Sequence, residues 1–292
     1  MDGYPRSFND LARWATSNGV TIEEARRRFI QHILLCAIAS VRPLRQGLVF
    51  KGGNALDFVL QPNRSTLDLD FSVDMTTGSF PLDAGSIETL LGRGLHVVST
   101  RFDVALAIHS VRQHPPGTGR TFATFEARVG YALPDERQLI IRMANNQTSP
   151  HVLPIEVSIN EPIVDSTVFS IRDDYPQLRI STLEDIVGEK LRALLQQPIR
   201  NRNRRQDLLD IAVVVQANPA IDRAIVAAAL QTKAEARHVP VSRAAFHAPA
   251  MIDRTEAGYA DLAATTRVVF IPFDEALAIV LRLVDELAIP ES

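Results

Sequence analysis

Lys51-Gly52-Gly53-Asn54-Ala55-Leu56, followed shortly by Leu67-Asp68-Leu69-Asp70-Phe71-Ser72-Val73, is the stretch on which the fold turns. Ahead of the glycines, Leu48-Val49-Phe50 reads as a short strand; behind them, Asn54 to Leu60 reads as a helix. Strand, Gly-Gly turn and helix in that order bring backbone N–H groups to a helix N-terminus, where an anion is favoured. Gly52 and Gly53 let a phosphate approach closely, and Asn54 adds a side-chain amide. A glycine pair alone is more often an ordinary turn. The alternation from Leu67 to Val73 changes the balance. Strand residues two apart share a face, so Asp68 and Asp70 point the same way and repel unless a divalent cation or water stands between them. Leu67, Leu69, Phe71 and Val73 make the opposite face apolar, which puts the strand well inside the fold. The expected ligand is magnesium, a hard cation that takes carboxylate oxygens and bridges phosphates.

Working outward, Thr21 with Glu24 forms a capping-box pattern, and a helix is expected from there to about Val41, ended by Pro43 and Gly47. Gly85 to Leu95 reads as a helix. Phe102 to Val111, Thr121 to Leu133 and Ile155 to Ile159 read as strands, with Pro115-Pro-Gly-Thr-Gly as the hairpin loop between the first two. Ile155, Val157 and Ile159 leave Glu156 and Ser158 on the other face, so Glu156 is a third acid able to complete a metal site or accept a proton; alone it is equally an exposed strand glutamate. Ser181-Thr-Leu-Glu reads as a second capping box, opening a helix through Leu195 that carries Lys190. From Gln206 onward the chain reads as mainly helical. Its last helix, about Phe273 to Leu287, carries an apolar stripe of Leu277, Val280, Leu281, Val284 and Leu287. The expected class is α+β, with a mixed-sheet domain over 1–180 and an α-helical domain over 181–292, and with the site in the cleft between them.

The 292 residues carry 46% hydrophobic and 22% charged side chains and a net charge of -3, the profile of a globular protein and not of a polycation. Nucleic-acid contact therefore requires a local patch, and Arg200, Arg202, Arg204 and Arg205 supply one, unless they are only a solvated helix connection. Lys51, Lys190 and Lys233 are the only lysines among 31 basic residues. In so arginine-rich a chain, a retained lysine points to a need for a compact charge, and Lys190 is placed to reach a triphosphate. One cysteine, Cys36, excludes an internal disulfide and a thiolate zinc site, and is expected in the core. The apolar run around it is too short to span a bilayer and no signal pattern opens the chain, so a cytoplasmic protein without membrane contact is expected.

Taken together, Lys51-Gly-Gly-Asn-Ala-Leu, Arg64-Ser-Thr-Leu-Asp-Leu-Asp-Phe, Pro154-Ile-Glu-Val-Ser, Lys190 with Ala193, and Arg205-Gln-Asp207-Leu-Leu-Asp210 resemble the AbiEii/AbiGii toxin family of nucleotidyltransferases, within the DNA polymerase β-like superfamily. The family includes mycobacterial toxins that modify tRNA. The motifs span Lys51 to Asp210. The resemblance implies a polymerase-β-like core. Gly52, Gly53 and Asn54 cradle the β/γ-phosphates, next to Lys51. Asp68 and Asp70 bind magnesium, two ions in all, and Glu156 is the third acid. Lys190 and Asp207 are the catalytic lysine and aspartate near the nucleotide, Thr66 the hydroxyl residue before the first aspartate, and Arg64 its companion. It further implies a nucleoside triphosphate donor, a tRNA or other RNA acceptor, and the toxin role in a toxin–antitoxin pair with a cognate antitoxin. One departure stands out: the superfamily usually has Gly-Ser where this chain has Gly53-Asn54. A small-molecule or protein acceptor, a non-catalytic nucleotide-binding homologue, and a nuclease using the same acids are the rival readings.

Overall fold

The computed structural model describes residues 3–63, 66–78, 80–117 and 121–292. The chain divides into two compact units: Met1–Val59, Ser65–Asn160 and Val168–Ile180 form the first, and Leu60–Arg64, Glu161–Thr167 and Ser181–Ser292 the second.

The first unit opens with α1 (Leu11–Asn18) and α2 (Ile22–Ser40). The Thr21 hydroxyl accepts the Glu24 N–H at 3.1 Å, so the expected cap starts α2. Every residue from Phe29 to Ala39 is buried, which makes α2 the central core helix of the unit, and Cys36 lies within it. Pro43 does more than end α2. It sits in the first turn of α3 (Arg42–Gly47), a position that needs no backbone N–H.

A mixed sheet of seven strands follows: β1 (Leu48–Lys51), β2 (Leu69–Val73), β3 (Ala105–His114), β4 (Thr124–Ala132), β5 (Val152–Ser158), β6 (Ser166–Phe169) and β7 (Leu178–Ser181), in the order β3-β4-β5-β2-β1-β7-β6. β1 runs antiparallel to β2 and parallel to β7; β2 is parallel to β5; β4 is antiparallel to both its neighbours, β3 and β5. Strand β2 begins at Leu69, not Leu67. Asp68 therefore stands on the bend leading into the strand, and Leu67 is 59% exposed, which removes it from the expected apolar face. Between β1 and β2, α4 (Gly52–Ala55) continues into a π-helical turn, Leu56–Leu60.

Helix α5 (Ala84–Phe102), capped by the Asp83 carboxylate on the Ser86 N–H, is longer than the pattern suggested. It absorbs Phe102, the expected start of a strand, and ends where Asp103 turns left-handed at φ 53°. The proposed hairpin loop is flanked by paired β3 and β4, but Thr118 to Arg120 lie outside the described residues. A further helix, α6 (Arg137–Ala144), was not foreseen.

The second unit is helical: α7 (Leu183–Arg200), α8 (Arg205–Ala217), α9 (Arg223–Ala236), α10 (Arg243–Phe246), α11 (Pro249–Glu256) and α12 (Phe273–Glu286). The cap of α7 is shifted by one residue from the expected box, with Thr182 accepting the Asp185 N–H at 3.3 Å. The buried stripe of α12 is Ala276, Ile279, Val280, Leu283 and Val284, with Leu287 just beyond. Leu277 and Leu281 are half-exposed at its margin. Among the described residues no helix is long and apolar enough to cross a membrane.

Candidate active site

Sheet register assembles the site. Lys51 pairs with Asp70 across β1 and β2, Asp70 with Glu156 across β2 and β5, and Glu156 with Glu126 across β5 and β4. Directly paired residues project to one face, so a single row of charged side chains crosses four adjacent strands. Asp68, one step before β2, joins this row: carboxylate oxygens of Asp68, Asp70 and Glu156 lie within 4.8 Å of one another. Burial pushes the Glu156 carboxyl above the usual range, and the like charges of Asp68 and Glu126 push it further, against Lys51 and His114.

The glycines close the site from the β1 side. Gly52 has φ 76°, and a Cβ there would collide with the Asp70 carboxylate. A Cβ on Gly53 would stand 2.7 Å from the Thr66 methyl. The glycine pair is thus what allows the turn to approach Asp70 and Thr66. The Thr66 hydroxyl is buried with no hydrogen-bond partner among the described residues. Asn54 is fully buried. Its Oδ1 accepts from Arg28 at 3.3 Å, and its Nδ2 donates to the carbonyl oxygens of Thr66, at 3.1 Å, and Asp68. Arg64, read as the companion of Thr66, lies outside the described residues.

In the second unit Lys190 is buried on α7, its Nζ 2.7 Å from Asp207 and 2.8 Å from Asp210 on α8. Burial by itself would lower this ammonium, but the two carboxylates outweigh it and hold Lys190 above the ordinary lysine value. Of the arginine cluster, Arg204 lies 3.9 Å from Asp207 and Arg205 pairs with Asp261 at 3.4 Å. Arg200 and Arg202 are exposed and make no side-chain hydrogen bond or ion pair among the described residues. Burial, then the neighbouring charges of Arg237, Arg202, Arg192 and Arg204, lowers the Arg200 guanidinium.

Sequence reasoning missed Glu126, which lies in a segment matching no motif. Its signal was present: Phe125, Ala127 and Val129 alternate around it and are buried. It also missed Arg28 and Gln31, two polar residues buried in the apolar helix α2.

A nucleotidyltransferase is the class to which these features belong, and comparison with known proteins supplies the family. The family model described as nucleotidyl transferase AbiEii toxin, type IV TA system, matches residues 33–279. The chain belongs to this family of nucleotidyltransferase toxins. No curated protein gives a significant match. Among solved structures, the chain is similar to JHP933 from Helicobacter pylori, with 14% identity, a TM-score of 0.42 and 87% of each chain covered. It is also similar to a candidate nucleotidyltransferase from H. pylori, with 14% identity, a TM-score of 0.33, and coverage of 80% of this chain and 96% of that one.

Proposed function

We propose that this protein transfers a nucleotidyl group from a nucleoside triphosphate to a hydroxyl of an RNA acceptor, tRNA foremost. In this reading it is the toxin of a toxin–antitoxin pair, acts in the cytoplasm and is held in check by a cognate antitoxin. The observation that carries the chemistry is the convergence of Asp68, Asp70 and Glu156 within 4.8 Å, beside a glycine turn that has been kept free of side chains.

These residues fit magnesium. All three donors are hard carboxylate oxygens within 4.8 Å of one another, a concentration of negative charge that a divalent cation would offset. Asp68, Asp70 and Glu156 would hold it. Bound there, it would neutralise triphosphate charge and stabilise the attacking and leaving oxygens.

The chain's own residues do the rest. Backbone N–H groups of the Gly52–Gly53 turn receive the β- and γ-phosphates, with the Thr66 hydroxyl, which has no partner among the described residues, beside them and Lys51 adding positive charge. The acceptor oxygen attacks the α-phosphorus in line. Its new O–P bond forms as the bond to pyrophosphate breaks, and the electron pair leaves with pyrophosphate. The hydroxyl proton passes to a carboxylate oxygen of Glu156, the third acid of the cluster. Lys190 and Asp207, which the resemblance assigns to the nucleotide, belong in this reading to the scaffold of the second unit, because with Asp210 they already form a balanced set of buried charges. Arg200, Arg202, Arg204 and Arg205 grip acceptor phosphates.

The test is incubation with magnesium, cellular RNA and each α-labelled triphosphate in turn. Label in a tRNA-sized band with one nucleotide, lost in Asp68→Ala, is the expected result. Label appearing only in protein or in small molecules would overturn the RNA acceptor, and unchanged labelling by Asp68→Ala would overturn the site.

A further inference from the structure

The fourth residue of the glycine motif does not face a ligand. Arg28 lies under it, buried on α2, with Nε on the Gly3 carbonyl at 2.9 Å, Nη2 on the Asp57 carbonyl at 2.9 Å, and an ion pair to the Asp57 carboxylate at 2.6 Å. The guanidinium carbon stands 3.6 Å from the centre of the Phe58 ring. So anchored, Arg28 offers Nη1 to Asn54. A guanidinium only donates, and backbone carbonyls only accept. The Asn54 amide between them therefore has one possible orientation: Oδ1 toward Arg28, Nδ2 toward the carbonyls of Thr66 and Asp68. Both amide protons are used, and the side chain is sealed from solvent. One α-helical turn further along α2, Gln31 repeats the device, its Nε2 donating to the carbonyls of Thr66 at 2.8 Å and Leu67 at 3.1 Å. Three consecutive carbonyls, at 66, 67 and 68, are thus held by buried amides. They belong to the bend that carries Asp68, which β2 itself does not pair.

We infer that Asn54, oriented by Arg28 and seconded by Gln31, is a positioning residue that sets the Asp68 carboxylate against Asp70 and Glu156, and is not a phosphate contact. This rests on the proposed metal-dependent transfer for its consequence but not for its geometry. A serine at position 54 has one hydroxyl proton and a shorter reach, so it cannot serve both carbonyls. Partners one shell beyond a metal ligand typically alter metal affinity by about 10- to 100-fold when removed.

The experiment compares the full-length wild type with Asn54→Ala, Asn54→Ser and Gln31→Met, with Asp68→Ala as control. Three quantities are read: Mn2+ binding by electron paramagnetic resonance without nucleotide, triphosphate binding in EDTA, and hydrogen exchange over residues 66–71. The expected result is Mn2+ affinity lowered about 10- to 100-fold in Asn54→Ala and Asn54→Ser. Metal-free triphosphate affinity stays unchanged and exchange across the bend is faster. Gln31→Met shows the same pattern more weakly, and keeps the inference testable should Asn54→Ala fail to fold. Wild-type Mn2+ affinity in Asn54→Ala with loss of triphosphate binding would overturn the inference and restore a phosphate contact. If the wild type binds no Mn2+, the metal reading fails on its own. The clamp then stands or falls on hydrogen exchange: faster exchange supports it, unchanged exchange overturns it.

Discussion

The acid clusters of the two units treat charge in opposite ways. In the first, Asp68, Asp70 and Glu156 are brought together with Glu126 close by, and the Glu156 carboxyl is driven upward by burial and by its neighbours. In the second, buried charges are answered inside the fold. Lys190 sits between Asp207 and Asp210, and Lys233 between Asp185 at 3.1 Å and Glu189 at 3.5 Å. Two of the three lysines are therefore buried cations set between pairs of acids. A cluster of like charge inside a protein is costly unless something foreign completes it; a balanced cluster is complete already. On the proposed function the first arrangement is a place for a ligand, and the second is a scaffold that fixes α7 against α8 and α9.

The largest effect is expected where a balanced site is unbalanced. Lys190→Met leaves Asp207 and Asp210 facing each other in a buried position, and denaturant titration should show a loss of about 3–5 kcal/mol. Adding Asp207→Asn and Asp210→Asn should restore most of it. The pH dependence has a definite sign. The folded Lys190 value lies above the unfolded one, so its contribution is complete below the ordinary lysine pKa and is lost only as pH rises through the folded value. The deficit of Lys190→Met should hence be flat around neutrality and close only in strongly alkaline solution. A deficit that closes near neutral pH would break the scaffold reading.

Asp68→Ala makes the converse change. Transfer should fall roughly 10²- to 10³-fold, the range for removing one group that stabilises transition-state charge. The melting temperature should hold or rise, since like-charge repulsion is relieved. Rate loss accompanied by a large stability loss would place Asp68 in the scaffold. Gly52→Ala tests the approach of the turn. With φ 76° and the Asp70 carboxylate in the way, the methyl group should cost about 1–3 kcal/mol, together with activity.

A third treatment of charge is exclusion. His32 is buried in α2, stacked on Tyr4 at 4.1 Å between ring centres, and its pKa is lowered to about 3 by burial, then by Arg172 and Arg6. The folded protein keeps it neutral while the unfolded chain takes up a proton below about pH 6.5. Stability should decline as pH falls from there toward 3, by up to about 1.4 kcal/mol per pH unit from this group. In His32→Phe that part of the slope should vanish.

What was legible beforehand follows from how local each feature is. The glycine turn, the acid alternation and the Thr21 cap are written in residues a few positions apart, and each was read from them. The start of β2 at Leu69 was not, because the bend before it is held by side chains from α2, more than thirty residues earlier. Nor was the role of Asn54: its composition suggested a donor to ligand, while its orientation depends on a buried guanidinium on another helix. Glu126 joins the acids through strand register, which no single segment encodes. Helices α5 and α12 were found, but the length of the one and the buried face of the other were set by packing.

The smallest effect on folding, and the finest test of the contrast, concerns the cations that are neither balanced nor buried. Arg200 and Arg202 stand exposed, and Arg237, Arg192 and Arg204 add like charge around Arg200. Replacing either with glutamine should change stability by no more than about 0.5 kcal/mol, the ordinary range for a surface site. Any change should be favourable, since repulsion is relieved. If these side chains meet RNA phosphates, each substitution should weaken binding evenly across sequences and reduce the slope of log affinity against log salt by about 0.7 to 0.9. Arg205, already engaged with Asp261 and the Ala257 carbonyl, should give a shallower change in slope and a measurable loss of stability. Equal salt slopes in all three variants and the wild type would remove this patch from the acceptor site and leave the acids as the first unit's own catalytic claim.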